Sequence, residues 1–244
     1  MFRKNLISLL ICLACLPGLW ISAAQQAPRT APVAGSESIP NLGPLLSRAN
    51  ALKTELRQYH ACTCTCGCYA KDLDIEAGRA IAFLEARAHR RDNEKTALVL
   101  DIDETALSNW EEMSGANFEY DGKDFNAWVE SAQAPGIPGT LRIYKAAQRL
   151  GVEVFFLTGR TEAQRASTET NLRLQGFKTW KELIMRKPAQ SKESALAYKS
   201  EERAKIVAAG YRIVLNVGDQ WSDLRGKPEA EDSVKYPDPF YFIK

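Results

Sequence analysis

Short apolar runs alternate with longer amphipathic segments along most of the chain, and this alternation limits the folds open to it. The runs Ala97–Leu100, Val152–Leu157 and Tyr211–Val217 suit buried strands. Leu183–Met185 is a shorter candidate strand. Because helical periodicity fills the segments between these runs, the pattern predicts an α/β fold with a parallel sheet and helices on both faces.

The predicted helices have apolar residues three and four positions apart, and several of them end at a glycine. They cover Leu45–His60, Tyr69–Arg90, Leu141–Leu150, Glu162–Leu174 and Ser191–Ala209. We expect an edge strand at Phe240–Ile243. The aromatic-rich segment 107–139 is expected to form a small, mainly helical cap.

The N-terminus has the pattern of a secretory signal peptide. Two basic residues precede the apolar run Leu6–Ile21, and three small residues follow it, so residues 1–24 are the expected signal. A retained membrane anchor is the alternative, but Pro17 and Gly18 interrupt the run, which is short for a span. Residues 25–42 are expected to be a flexible leader, which leaves 43–244 as one folded domain, secreted or periplasmic.

Charge excludes some classes of partner. The chain has 32 Lys and Arg against 30 Asp and Glu, and loss of Arg3 and Lys4 with the signal would leave 30 of each. This balance gives no electrostatic basis for binding a nucleic acid polymer or an anionic membrane. We therefore expect neither, and no stable membrane insertion after cleavage. A homodimer is left open.

The stretch TALVLDIDETALSN places Asp101, Asp103 and Glu104 directly after a predicted strand. Residues i and i+2 of a strand point the same way, so Asp101 and Asp103 would project together at the carboxyl end of the strand. A hard divalent cation such as Mg²⁺ would relieve their repulsion. Taken alone, the stretch is equally well explained as a solvated acidic turn.

Two further strand ends carry polar residues of complementary chemistry. EVFFLTGR ends in Thr158 and Gly159, a hydroxyl and a closely approachable amide that suit a phosphate oxygen. IVLNVGDQWSDL ends in Asp219, and a helical turn there would bring Asp223 to the same face. Lys199 on the preceding helix would supply a fixed positive charge. Together these strand ends favour a metal-assisted phosphate site.

DIDET, LTGR, YKSEER and GDQWSD resemble the four motifs of the haloacid dehalogenase (HAD) superfamily of phosphotransferases. The longer forms VLDIDETALSN and NVGDQWSDL resemble its subfamily IIIB, the secreted acid phosphatases of bacterial class C and plant vegetative type. This resemblance, over about residues 45–244, implies a HAD-like Rossmannoid sheet. It also implies Mg²⁺-dependent hydrolysis of phosphomonoesters, with nucleoside monophosphates a plausible class, through an aspartyl-phosphate.

The resemblance also implies a role for each motif residue. Asp101 would be the nucleophile, and Asp103 would be the general acid and then the general base, in keeping with an acidic optimum. The phosphoryl oxygens would be held by Thr158, Gly159 and Lys199. Mg²⁺ would be held by Asp101, the carbonyl oxygen of Asp103, Asp219 and Asp223. Lys187 and Lys192 are rivals of Lys199 for the third motif.

Some relatives of the plant type lack the nucleophile and serve for storage, so a non-catalytic storage or binding protein on the same fold is the alternative function. The presence of Asp101 disfavours it.

Two tryptophans lie close to motifs and are expected to contact the leaving group of a substrate. Trp110 follows the first motif and Trp221 lies within the fourth. The other aromatic residues of the cap segment are expected to pack it onto the core.

The resemblance does not account for Cys62, Cys64, Cys66 and Cys68, which lie within seven residues of one another in HACTCTCGCYA. With His60 they could bind a soft metal such as Zn²⁺ or Cu⁺. Disulfides are the competing expectation in an oxidising compartment. A variable segment with no role is the third.

Overall fold

The computed structural model describes residues 43–63, 68–88 and 94–243. The predicted signal peptide and leader lie outside these residues, as do Cys64 and Cys66. Within the described part of the chain, no helix has the length and apolarity needed to cross a membrane.

Five parallel strands form one sheet in the order β3-β2-β1-β4-β5. The strands are β1 (Lys95–Leu100), β2 (Glu153–Thr161), β3 (Glu182–Arg186), β4 (Tyr211–Gly218) and β5 (Asp232–Lys235). The helices are α1 (Gly43–Ala61), α2 (Tyr69–Ala88), α3 (Trp110–Gly115), α4 (Gly122–Ser131), α5 (Pro138–Arg149), α6 (Arg165–Leu174), α7 (Ala195–Ala208) and α8 (Trp221–Leu224). The predicted α/β fold is confirmed.

Alternation along the strands divides the core between the two faces of the sheet. Leu98 and Leu100 of β1 point to the face covered by α2 and α5. Ala97 and Val99 point to the opposite face, where α7 packs. Because both faces are covered, the strands are apolar on both sides, which explains the continuous apolar runs in the sequence.

The register of the sheet sets the position of its carboxyl edge. Leu100 of β1 lies beside Phe156 of β2 and beside Val217 of β4. The residues that follow these three positions therefore emerge next to one another. The predicted motifs of β1, β2 and β4 meet at this edge.

One expected strand is absent from the structure, and several expected helix boundaries differ by a few residues. Phe240–Ile243 is not a strand, and the sheet edge is formed by β5 instead. Pro237 and Pro239 lack the N–H that a ladder requires, and the Phe240 N–H donates to Asp238 Oδ1 at 2.9 Å. Helix α7 also begins later than predicted, because Ser194 caps it by accepting from the Ala197 N–H at 3.2 Å.

A disulfide joins Cys62 at the end of α1 to Cys68 at the start of α2, with Cα atoms 5.4 Å apart. This bond uses two of the four cysteines at positions 62, 64, 66 and 68. A soft-metal site built from all four thiols is therefore not available in this state, and the disulfide alternative is the one that the structure favours for this pair.

The core position of Leu98 gives a test of the fold. Leu98 is fully buried in β1, whereas Leu174 of α6 is 67% exposed. We expect Leu98→Ala to lower the free energy of unfolding by about 3 kcal/mol, since it leaves a cavity under the sheet. Leu174→Ala, the same change at the surface, should cost less than about 0.5 kcal/mol in urea unfolding. Equal losses in both variants would contradict this account of the core.

Candidate active site

Three aspartates from distant parts of the chain meet at the carboxyl edge of the sheet. Asp101 follows β1, Asp219 follows β4, and Asp223 lies on α8. All three are buried, and one carboxylate oxygen from each lies within 4.8 Å of the others. The structure thus brings together three of the predicted metal ligands.

Gly218 explains how Asp223 reaches this cluster. A Cβ atom at position 218 would overlap the side chain of Asp223. Glycine therefore allows α8 to fold back against the end of β4.

Lys199 neutralises part of this charge. Its Nζ, buried at the inner face of α7, donates to Asp101 Oδ1 and to Asp223 Oδ1, each at 2.5 Å. Burial alone would lower the pKa of Lys199, but the two carboxylates outweigh it and raise the pKa, so the ammonium stays charged. Lys187 and Lys192 are exposed and do not line the cavity described below. Lys199 is thus the lysine that the fold places with the acidic residues.

If all three carboxylates were ionised, Lys199 would neutralise only part of their charge. Burial, partly offset by Lys199, raises the pKa of Asp101 well above its usual range, and neighbouring carboxylates raise it further. Burial likewise raises the pKa of Asp219, and Asp223 adds to the effect. One ammonium faces three carboxylates, and every donor is an oxygen. This donor set fits a hard divalent cation such as Mg²⁺.

Two neighbours fix the carboxylate of Asp219. The hydroxyl of Thr105 donates to Oδ1 at 3.1 Å, and Nε2 of Gln220 donates to Oδ2 at 2.7 Å. Gln220 also donates to Asp238 at 2.7 Å and accepts from the Ile243 N–H at 3.2 Å. Residues 238–243, the C-terminal segment, are thereby bound to the fourth motif.

The side chain of Asp103 lies outside the three-carboxylate cluster and has a different environment. Arg160 donates to its Oδ1 from Nη2 at 2.7 Å and from Nε at 3.0 Å. Burial would raise the pKa of Asp103, but the Arg160 guanidinium and the hydrogen bonds outweigh it and lower that pKa. The surroundings of Asp103 in the free protein therefore favour its ionised form.

Thr158 and Gly159 lie where β2 reaches the same edge. Thr158 is fully buried, and its hydroxyl accepts from the Arg160 N–H at 3.1 Å. Gly159 lines the cavity beside Arg160. Gly159 therefore borders the cavity with the acidic residues, whereas Thr158 is buried next to it and does not line the cavity.

A cavity of about 530 Å³ opens over these residues. Its floor includes Asp101, Asp103, Lys199, Asp219 and Asp223. Its wall includes six aromatic side chains, which are Phe118, Tyr120 and Phe125 from the cap segment and Phe240, Tyr241 and Phe242 from the C-terminal segment. The segment that was expected to be an edge strand thus forms part of this wall.

Trp110 and Trp221, the two predicted substrate contacts, do not line the cavity. Trp110 stacks on His60, with ring centroids 3.7 Å apart, and packs against Phe240 behind the wall. Trp221 lies beneath Arg225, whose guanidinium carbon is 4.4 Å from the ring centre, and borders a separate surface pocket. Since the α8 turn brings Asp223 inward, the side chain of Trp221 is left on its outer side.

Several residues of the site had no role predicted from the sequence. Arg160 follows Thr158 and Gly159 directly, so a charge at the end of a motif strand was the available signal. Asn109 closes the first motif, and its amide contacts both Asp103 and Glu104. Gln220 lies within the fourth motif, but Asp238 had no such signal, because its contact with Gln220 joins side chains of separate segments.

The fold and the site together define an α/β protein whose sheet edge carries an oxygen-donor cation site beside a fixed lysine. The chain belongs to the HAD superfamily, subfamily IIIB (acid phosphatase), whose family model matches residues 37–244.

Curated relatives from plants match over roughly 150 to 165 residues. Acid phosphatase 1 of Solanum lycopersicum is 41% identical over 155 residues, which are 62% of this chain and 61% of that protein. Vegetative storage protein 1 of Arabidopsis thaliana is 35% identical over 155 residues, 59% of this chain and 54% of that protein. The chain thus spans little more than half the length of these relatives.

A solved structure with the same fold is the class C acid phosphatase from Bacillus anthracis. The two agree with a TM-score of 0.66 over 81% of this chain and 86% of that one, at 21% sequence identity. This likeness concerns the fold.

The stacking of His60 against Trp110 gives a pH test of the structure. Burial lowers the pKa of His60 below its ordinary value of 6.5. The unfolded chain therefore binds this proton more readily, so the folded state loses stability as the pH falls below about 6.5. We expect the urea midpoint of the wild type to fall more between about pH 7.5 and about pH 5 than that of His60→Phe, which keeps an aromatic ring on Trp110. The same pH dependence in both chains would contradict this.

Proposed function

We propose that this protein is a secreted, Mg²⁺-dependent acid phosphatase that hydrolyses phosphomonoesters through an aspartyl-phosphate. The observation that carries the proposal is the contact of Lys199 with both Asp101 and Asp223 on the floor of an aromatic-walled cavity. Membership of subfamily IIIB supports the same reaction. The signal-like sequence of residues 1–24 supports export.

Asp101 is the proposed nucleophile. Lys199 holds its Oδ1, which leaves the other oxygen to attack phosphorus. The bond from phosphorus to the leaving oxygen breaks as the bond to Asp101 forms, and water then cleaves the intermediate to release phosphate. The two-step route replaces one difficult displacement with two easier ones.

Asp103 is the proposed general acid in the first step and general base in the second. Arg160 holds its carboxylate ionised in the free protein. A bound phosphate would add negative charge beside Asp103 and compete for Arg160, and both effects raise the pKa of Asp103. Substrate binding itself would therefore favour the protonated form that the first step needs.

The proposed Mg²⁺ would be held by the carboxylates of Asp101, Asp219 and Asp223 with the backbone carbonyl of Asp103. When bound, it supplies positive charge that offsets repulsion between nucleophile and phosphate. Thr158, Gly159 and Lys199 are proposed to stabilise the phosphoryl oxygens.

The shape of the cavity bears on the substrate. Six aromatic side chains line it, and aromatic faces favour flat leaving groups. We propose nucleoside monophosphates or aryl phosphates as substrates. The alternative is storage, because vegetative storage proteins are among the relatives. The intact Asp101–Lys199 contact favours the enzyme.

Loss of the nucleophile is the first test. Asp101→Asn should lower phosphate release from 4-nitrophenyl phosphate by roughly 10³-fold or more, since the amide cannot form the intermediate. Asp74→Asn, the same change at a surface ion pair with Arg142, should retain full turnover. Turnover retained in Asp101→Asn would exclude it as the nucleophile, and a wild type inactive across a broad panel of phosphomonoesters and a wide pH range would favour storage.

Metal binding has a test that is independent of turnover. Mg²⁺ at about 100 times its dissociation constant should stabilise the wild type by about 2.7 kcal/mol, seen as a higher melting temperature. Asp219→Asn should remove most of this shift, because it deletes one charged ligand, whereas Asp74→Asn should keep it. A shift of equal size in Asp219→Asn would exclude Asp219 as a ligand.

A further inference from the structure

The amide of Asn109 uses all of its polar atoms in the site. Its Nδ2 donates to Asp103 Oδ1 at 2.9 Å and to Glu104 Oε2 at 2.8 Å. Its Oδ1 accepts from the indole N–H of Trp128 at 2.9 Å. Asn109 is buried at 1% exposure, so water does not compete for these contacts.

These partners allow only one orientation of the amide. The indole N–H of Trp128 is a donor only, and an ionised carboxylate such as that of Asp103 is an acceptor only. A flipped amide would set its oxygen against the carboxylate and its NH₂ against the indole N–H. Asn109 therefore has a fixed orientation, which its neighbours determine.

The position of Asn109 argues against an ordinary capping role. It precedes α3 at the N-cap, where an asparagine side chain commonly accepts from the first free N–H groups of the helix. Here the side chain makes no such bond. Its Oδ1 accepts from Trp128 instead. The side chain therefore contacts the residues of the site and does not cap the helix.

The contacts also distinguish the two oxygens of Asp103. Oδ1 accepts from Asn109 at 2.9 Å and from Arg160 at 2.7 and 3.0 Å. Oδ2 has one longer contact, with Arg160 Nε at 3.3 Å. Oδ2 is therefore the less engaged of the two oxygens and the one more available to a substrate in the cavity.

Trp128 connects this arrangement to the cap helix. It lies on α4, the helix that also carries Phe125 of the cavity wall. Asn126 of the same helix accepts from Gln164 Nε2 at 2.8 Å, which is a second tie between α4 and the sheet domain. The placement of α4 therefore fixes both the wall of the cavity and the orientation of Asn109.

We propose that Asn109 is a positioning residue, which holds Asp103 with Oδ2 toward the leaving group and couples this geometry to α4 through Trp128. The proposal rests on the proposed phosphatase function. In the first step Oδ2 gives its proton to the leaving oxygen as that oxygen separates from phosphorus. In the second step Oδ2 takes a proton from water as the water oxygen attacks phosphorus and the bond to Asp101 breaks.

The dependence on the leaving group tests this role. A poor leaving group such as an alkoxide needs the proton of Asp103, whereas 4-nitrophenolate needs it little. We expect Asn109→Ala to lower kcat/KM for an alkyl phosphate about tenfold more than for 4-nitrophenyl phosphate. Trp128→Phe removes the indole donor but keeps an aromatic ring. It should lower kcat/KM for the alkyl phosphate about threefold more than for 4-nitrophenyl phosphate.

Trp180→Phe is the matched control, because Trp180 packs against Phe156 away from the cavity and should show no bias. Equal losses for both substrates in the Asn109 and Trp128 variants would overturn the positioning role, as would unchanged kinetics. If Asn109→Ala does not fold, Trp128→Phe decides by the same criterion. A wild type that hydrolyses neither substrate would overturn the phosphatase function itself, and the role of Asn109 with it.

Discussion

The structure depends on how it accommodates negative charge buried at the carboxyl edge of the sheet. Asp101, Asp219 and Asp223 lie within 4.8 Å of one another at their nearest oxygens, and Lys199 is the ammonium that contacts two of them. Removing carboxylates from water is costly unless cations or hydrogen-bond donors replace the solvent. The parallel sheet supplies the framework for this arrangement, because neighbouring strands end at the same level and each contributes its next residue.

Two acidic residues that are two positions apart in the sequence have opposite electrostatic environments. Burial, with a further contribution from neighbouring carboxylates, raises the pKa of Asp101, whereas at Asp103 the effect of burial is outweighed by Arg160 and Asn109, which lower the pKa. This order is the reverse of what an ionised nucleophile and a protonated general acid need, so the proposed reaction depends on the bound cation and substrate to invert it. It arises because β2 presents Arg160 to Asp103, while Asp101 is buried beside Asp223 of α8 and Lys199 of α7 only partly offsets the resulting shift.

The predictions from the sequence that the structure contradicts were wrong for one physical reason. The apolar residues Phe240–Ile243 have the composition of a strand. The flanking prolines and the hydrogen bond from the Ile243 N–H to Gln220 place them in the wall of the cavity instead. Trp110 and Trp221 lie near motifs in the sequence, but neither lines the cavity. Trp110 packs against His60, and the turn of α8 directs Trp221 away. Propensity and proximity along the chain are local properties, whereas these placements depend on contacts between distant segments.

The sequence by itself determined four of the five strands of the sheet, most of the helices and the residues of the acidic cluster, because periodicity and strand-end motifs are encoded within a few residues. It did not determine the partners of those residues. The contacts of Arg160 and Asn109 with Asp103, and the fastening of the C-terminal segment by Gln220, were decided only in the tertiary structure. Side-chain hydrogen bonds need atoms placed to within a few tenths of an ångström, and that precision exists only once the sheet, the cap helix and the C-terminal segment have packed together.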